Sequence, residues 1–188
     1  MTHERGLILA AGAGRRFGGG KLLSPWRGQP LINWSIAAAW DSGVDAVTVV
    51  LGAEADQVAA SLARNVDIVV CAEWDEGIAA SLRCGLAALP GKTSAVLILL
   101  GDMPNVSPAL GRSLLDLVGA GAPAAIAQFG EIPAHPVAVN ASAFGVLATV
   151  RGDRGARSAL ADLAGVRVVA TGDPGSVFDI DYASDTSG

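Results

Sequence analysis

The stretch Leu7-Ile8-Leu9-Ala10-Ala11-Gly12-Ala13-Gly14-Arg15-Arg16-Phe17-Gly18-Gly19-Gly20-Lys21 passes from an apolar run straight into a glycine-rich loop bearing three cations. The apolar run has the character of a buried strand. The glycines after it permit positive φ and a close approach of backbone to a ligand. Main-chain N–H groups left free in such a loop form an anion-binding concavity, and Arg15, Arg16 and Lys21 add full positive charges. The stretch therefore predicts a polyphosphate site at the carboxyl end of a first strand. A solvated turn with ordinary surface charges is the alternative, because short glycine motifs recur by chance.

Two familiar phosphate loops do not fit. The dinucleotide pattern needs glycine at its first, third and sixth positions; Gly12 and Gly14 supply two, but Phe17 holds the sixth. The second strand ends in Leu51-Gly52, with no acidic residue for a ribose. The P-loop pattern finds Gly20-Lys21, but Arg15 replaces its first glycine and Leu22 its hydroxyl. Pro25 delays the next helix, so phosphates are expected to meet loop amides and cations more than a helix end.

Outward from the loop the chain alternates. Leu31 to Trp40 predicts a helix closed by Ser42-Gly43. Ala46–Leu51 is a β-branched apolar strand of the kind buried on both faces of a parallel sheet. Glu54 to Arg64 reads as a helix, Val66 to Val70 as a strand, Ile78 to Leu89 as a helix ended by Pro90-Gly91. Ala95–Leu100, the most hydrophobic strand, is expected at the centre. Further strands are expected over Ala124–Phe129, Val166 to Ala170 and Val177 to Asp181. This order implies right-handed crossovers and a three-layer α/β/α sandwich around a mostly parallel, Rossmann-like sheet.

With 188 residues, 51% of them hydrophobic, one core and a single domain over 1–188 are expected. No apolar run approaches a membrane span, and Met1-Thr2-His3-Glu4-Arg5 contains no signal-peptide core, so a cytoplasmic protein is expected. The net charge of −5 argues against nonspecific nucleic-acid or membrane binding. Cys71 and Cys84 make neither a disulfide framework nor a zinc pattern and are expected to be small buried residues in a reducing compartment.

In such sheets ligands collect outside the carboxyl ends of the strands. Gly101-Asp102-Met103-Pro104 lies there, where Asp102 can reach a metal held by phosphates. Its other reading is a helix N-cap, but Ser107 is the better cap because Pro108 then takes the first helical position. Glu73-Trp74-Asp75-Glu76-Gly77 leads to Ser81 at another strand end, either as a ligand contact or as a plain loop-to-helix junction. His135 precedes Pro136, which disfavours helix there; a lone histidine lacks the partners for zinc. Gly152-Asp153-Arg154-Gly155-Ala156-Arg157 is either a surface turn with an Asp153–arginine bridge or a second phosphate site. Extended backbone through Asp179-Ile180-Asp181 puts both carboxylates on one face.

Leu9-Ala10-Ala11-Gly12 with Arg16, Gly18 and Lys21 resembles the MobA/MocA-like nucleotidyltransferases, and within them the molybdenum cofactor cytidylyltransferase branch. Gly101-Asp102-Met103-Pro104, the Trp74–Gly77…Ser81-Leu82 segment, Ala134-His135-Pro136, Gly152-Asp153-x-Gly155-Ala156-Arg157 and Asp179-Ile180-Asp181 resemble family segments in the same order. Two positions and one segment depart: Gly14 and Phe17 stand where the family commonly has Ser and Met, and Tyr182-Ala183-Ser184-Asp185 replaces its usual Thr-Pro-Glu-Asp.

The resemblance implies a nucleotide-diphospho-sugar transferase type of sheet and transfer of CMP from CTP to the phosphate of molybdopterin, with release of pyrophosphate. It assigns Arg16, Lys21 and Asp102 to catalysis. Leu9, Ala10, Ala11, Gly12, Gly14, Arg16, Lys21, Gly77 and Ser81 would bind the nucleotide, and His135 and Arg157 the acceptor. Asp102 and Asp181, with Asp179 as the alternative to the latter, would hold Mg²⁺. A molybdoenzyme is the implied downstream partner. The rival readings are an NAD(P)H-dependent oxidoreductase of the same sequence family, a non-catalytic cofactor chaperone, and a sugar-phosphate nucleotidyltransferase.

Overall fold

A computed structural model describes residues 3–186. In chain order its elements are β1 (Glu4–Ala10), β2 (Pro25–Trp26), β3 (Gln29–Pro30), α1 (Leu31–Asp41), β4 (Ala46–Leu51), α2 (Ala55–Ala60), β5 (Asp67–Val70), α3 (Ile78–Ala88), β6 (Ala95–Leu100), α4 (Pro108–Gly119), β7 (Ala124–Phe129), β8 (Ile132–Asn140), α5 (Phe144–Leu147), α6 (Ala156–Leu160) and β9 (Arg167–Thr171). Among the described residues the main sheet has seven strands in the order β5-β4-β1-β6-β8-β7-β9. β1 runs parallel to β4 and to β6, with Ile8 opposite Val49 on one side and Leu99 on the other. β6 is the middle strand, as its hydrophobicity predicts.

Burial on both faces explains the unbroken apolar runs. Ile8 and Ala10 face one side, with Val47, Val49, Leu97 and Leu99, and meet Ile32, Ile36 and Ala39 of α1 and Leu114, Leu115 and Val118 of α4. Leu7 and Leu9 face the other side, with Val50, Val96 and Ile98, and meet Ala80 and Leu82 of α3, Leu147 of α5 and Leu160 of α6. The layers are α/β/α. No described helix is long and apolar enough to cross a membrane.

Four expectations differ from the structure. The helix predicted over Glu54–Arg64 is confined to Ala55–Ala60. Pro25 does more than delay a helix: β2 and β3 pair as a small hairpin across Arg27 and Gly28, both at positive φ. The segment around His135 is the nine-residue strand β8, antiparallel to both β6 and β7. Pro133 and Pro136 hide it in the sequence, since proline cannot donate to a ladder; the chain absorbs them where the β7–β8 register shifts between Ile126 and Gln128. Lastly, the segment 177–181 joins no sheet among the described residues. It is held instead by Ile180, fully buried against Trp26 and Leu31, and by the Ile180 N–H donating to the Asp102 carbonyl at 3.1 Å.

Candidate active site

The glycine loop leaves β1 at the carboxyl edge of the sheet. The Gly14 carbonyl accepts from the amides of Phe17, Gly18 and Gly19 at 2.9, 3.1 and 3.3 Å, and the Gly20 amide donates to Glu54 Oε1 at 2.9 Å. Gly14 sits at φ +58, and a Cβ there would lie 2.9 Å from Lys21 Cβ. Glycine at this point therefore lets the loop close over the stem of Lys21. The amides of Gly12, Ala13, Gly14, Arg15 and Arg16 have no hydrogen-bond partner among the described residues, which is the concavity the sequence predicts.

Lys21 is pulled inward. Its side chain is only 11% exposed, and Nζ donates to Asp102 Oδ2 at 2.7 Å and to Asp181 Oδ1 at 3.2 Å. Arg16, extended into solvent, donates to the other oxygen of Asp181 at 2.8 Å. Burial by itself would lower the Lys21 pKa, but Asp102 and Asp181 outweigh it and hold the ammonium above its ordinary value. Asp181 is held below the usual carboxylate range by its hydrogen bonds from Lys21 and Arg16. Asp179 goes the other way: burial, then the charges of Asp102 and Asp181, push it up. Asp102 is free for this arrangement because Ser107 caps α4, its hydroxyl accepting from the Leu110 amide at 3.4 Å.

Beside this cluster opens a cavity of about 360 Å³, within the range of small-ligand sites. Leu9, Ala11, Gly12, Gly14, Gly77, Ser81 and Asp102 line it, together with Ala13, Arg15, Trp74, Asp75, Ile78, Leu100 and Asp153. A smaller recess bounded by Ala10, Gly14, Lys21 and Asp102 adjoins it. Gly77 stands at φ +107 and ψ −179, a conformation open essentially to glycine alone. Ser81 is 5% exposed, one turn further along α3.

The sequence does not place Asp153 at the cavity. The arginine bridge, one of the two readings of its segment, does not form among the described residues. The Gly152 carbonyl instead accepts from the Ala79 amide at 3.1 Å, docking the 152–153 turn on the start of α3 and bringing the Asp153 carboxylate to the cavity. The contact that brings it there joins Gly152 to Ala79, residues far apart in sequence.

His135 and Arg157 lie together on the β8 side, outside the cavity lining. Burial lowers the His135 imidazole to about 4, with Asp102 opposing and Arg157 reinforcing, so both charges are near the ring. Its Nδ1 is buried without a hydrogen-bond partner. Arg157, on α6, donates to the Ala127 carbonyl at 2.8 Å, and burial lowers its pKa.

The sequence matches the family described as MobA-like NTP transferase domain over residues 6–168. The chain belongs to this family. It is 35% identical over 163 residues to nicotine blue oxidoreductase of Paenarthrobacter nicotinovorans, covering 81% of this chain and 78% of that one. It is 31% identical over 119 residues to the bifunctional protein GlmU of Geotalea daltonii, 62% of this chain but 26% of the relative; the chain thus spans about a quarter of the GlmU proteins it matches. Rv0371c from Mycobacterium tuberculosis H37Rv superimposes with a TM-score of 0.85 at 31% identity, covering 98% of this chain and 95% of that one. Rv0371c has also been solved in complex with manganese (TM-score 0.75, 30% identity, 90% and 89% covered).

Proposed function

We propose that this protein is a metal-dependent nucleotidyltransferase that moves CMP from CTP onto the phosphate of molybdopterin, releasing pyrophosphate. The observation that carries this reading is Lys21 Nζ within 3.2 Å of both Asp102 and Asp181, in the recess beside a glycine-lined cavity with free amides. Two carboxylates that converge on one ammonium converge equally on a hard cation, and all-oxygen donors suit Mg²⁺. Asp102 and Asp181 would hold Mg²⁺, which when bound supplies charge neutralisation at the triphosphate.

The rest falls to this chain's own groups. The loop amides with Arg16 and Lys21 hold the phosphates and offset the charge that develops on them. Gly77, Ser81 and Trp74 wall the nucleoside. His135 and Arg157 orient the acceptor so that its phosphate oxygen lies in line with the α-phosphorus. An acceptor oxygen–phosphorus bond forms as the bond to the bridging α–β oxygen breaks, and pyrophosphate carries that electron pair away. The acceptor phosphate is ionised at neutral pH, so no general base is required. Its neutral imidazole fits His135 for orientation rather than proton transfer. CTP is favoured over other nucleotides by the Leu9-Ala10-Ala11-Gly12 resemblance.

The nicotine blue oxidoreductase relative favours a second reading, an NAD(P)H-dependent reductase in the same cavity. Thermal shifts with Mg²⁺ and each of CTP, GTP, ATP, UTP and NADPH separate the two, because a ligand of the folded state raises the melting temperature. A shift with CTP followed by pyrophosphate release on adding molybdopterin is the expected result. A shift with NADPH and none with any nucleoside triphosphate would overturn the proposal in favour of the reductase.

A further inference from the structure

Cys71 and Cys84, thirteen residues apart on different elements, meet in the fold. Cys71 directly follows β5, is 1% exposed, and its amide donates to the Leu51 carbonyl at 2.8 Å. Cys84 lies on α3, which packs over β4 and β5, and is only partly buried, contrary to the expectation of a fully buried residue. Between them Glu73, exposed, turns its carboxylate to the same point. One ligand atom from each residue, Sγ of Cys71, Sγ of Cys84 and a carboxylate oxygen of Glu73, lie within 4.8 Å of one another. None of the three lines the main cavity, and none is shared with the Lys21, Asp102 and Asp181 cluster.

A tetrahedral ion with bonds of about 2.3 Å to sulfur and about 2.0 to 2.2 Å to oxygen holds its ligand atoms about 3.5 to 3.8 Å apart. The present set, within 4.8 Å, is wider than that spacing by no more than about 1.3 Å. The set is of mixed softness. Two thiolates select a thiophilic ion over Mg²⁺, and one carboxylate is an accepted third ligand for zinc. A recess bounded by Glu73, Glu76, Ala80, Arg83 and Cys84 opens from the cluster to solvent and admits a fourth, water ligand.

We propose that Cys71, Glu73 and Cys84 form a second metal site, selective for a thiophilic divalent cation of the Zn²⁺ class, with water completing its coordination. Because thiolates are the ligands, the ion enters by displacing the thiol protons, and binding is expected to strengthen as pH rises. The location gives the site a reach into the cavity. Glu73 immediately precedes Trp74, and Cys84 is one turn after Ser81 on α3; both Trp74 and Ser81 are cavity walls. An ion bridging Glu73 to Cys84 therefore ties the Trp74–Gly77 turn to the helix behind it.

The test is a Co²⁺ titration of the whole chain under a phosphine reductant, read by absorbance, then back-titration with Zn²⁺ and with excess Mg²⁺. The expected result is one Co²⁺ per chain with an intense near-ultraviolet thiolate-to-metal band, abolished by Zn²⁺ and untouched by Mg²⁺. Cys71 is buried, so its replacement endangers the fold; the informative variants are Cys84→Ser and Glu73→Gln, on the accessible side. Cys84→Ser is expected to weaken Co²⁺ binding by about tenfold or more and to diminish the band, and Glu73→Gln to weaken binding with the band retained. Asp102→Asn is expected to leave the band intact, which separates this site from the proposed Mg²⁺ site. Absence of the thiolate band, its persistence at full intensity and affinity in Cys84→Ser, or its loss in Asp102→Asn would each overturn the proposal.

Discussion

His135 offers the sharpest quantitative test of the packing on the β8 side. Its Nδ1 is buried with no partner, and burial holds the imidazole at about 4 against an ordinary 6.5. The folded value is depressed, so between these two values the unfolded chain takes up a proton that the native state refuses. Stability is therefore complete above 6.5, falls as the pH drops, and stops falling below 4. A displacement from 6.5 to about 4 is worth on the order of 3 kcal/mol when fully expressed, and about 2 kcal/mol at pH 5. Urea unfolding of the wild type and of His135→Gln at pH 7.5 and pH 5 measures it. The variant lacks this titration, so the wild type should lose about 2 kcal/mol more than the variant between the two conditions. Asp181, also depressed, is present in both proteins and cancels in the comparison. Equal losses for the two proteins would refute the reasoning, because a ring that protonates freely in the fold is not buried as described.

Three further outcomes are expected. Asp102→Asn should abolish pyrophosphate release with Mg²⁺ while the far-ultraviolet circular dichroism spectrum stays native; undiminished turnover would remove Asp102 from the metal site. Arg157→Ala should raise the acceptor KM about tenfold or more, the loss of a charged hydrogen bond, and leave the CTP KM unchanged; steady-state kinetics with each substrate varied decides it, and a selective rise for CTP would contradict the assignment. Gly77→Ala forces a side chain into φ +107 and sets its Cβ 2.8 Å from the Gly152 carbonyl, so a stability loss of about 1 to 3 kcal/mol and a smaller CTP thermal shift are expected; a variant as stable as wild type would mean that the turn does not dock on α3 as described.

The parts legible in the sequence were those governed by local physics. Apolar runs bounded by glycine and proline announced β1, β4 and β6, and Ser107-Pro108 announced the start of α4. The loop cations point to the candidate site, where Lys21 meets Asp102 and Asp181. What stayed hidden depends on contacts between distant residues. The reversal of β8 was masked by two prolines that the sheet accommodates at an irregularity. Asp153 reaches the cavity only because Gly152 docks on Ala79, and Cys71 meets Cys84 only because α3 covers β5. The alternation at 179–181 has the pattern of a strand, but Ile180 inserts beside Trp26 rather than into a face of the main sheet, and no pattern within five residues distinguishes those two fates.

The reversed direction of β8 divides the site by origin. The groups proposed for the nucleotide, on the glycine loop, the Asp102 turn and the Gly77 segment, are all delivered by chain leaving parallel strands or entering α3. His135 is delivered by chain entering a strand, at the end of β8 that follows the hairpin from β7. Under the proposed reading, a change in the Gly130–Glu131 hairpin can redirect which acceptor is admitted without disturbing the loop that grips the donor. A fold built this way can exchange one half of its specificity while inheriting the other, a form of modularity within one sheet.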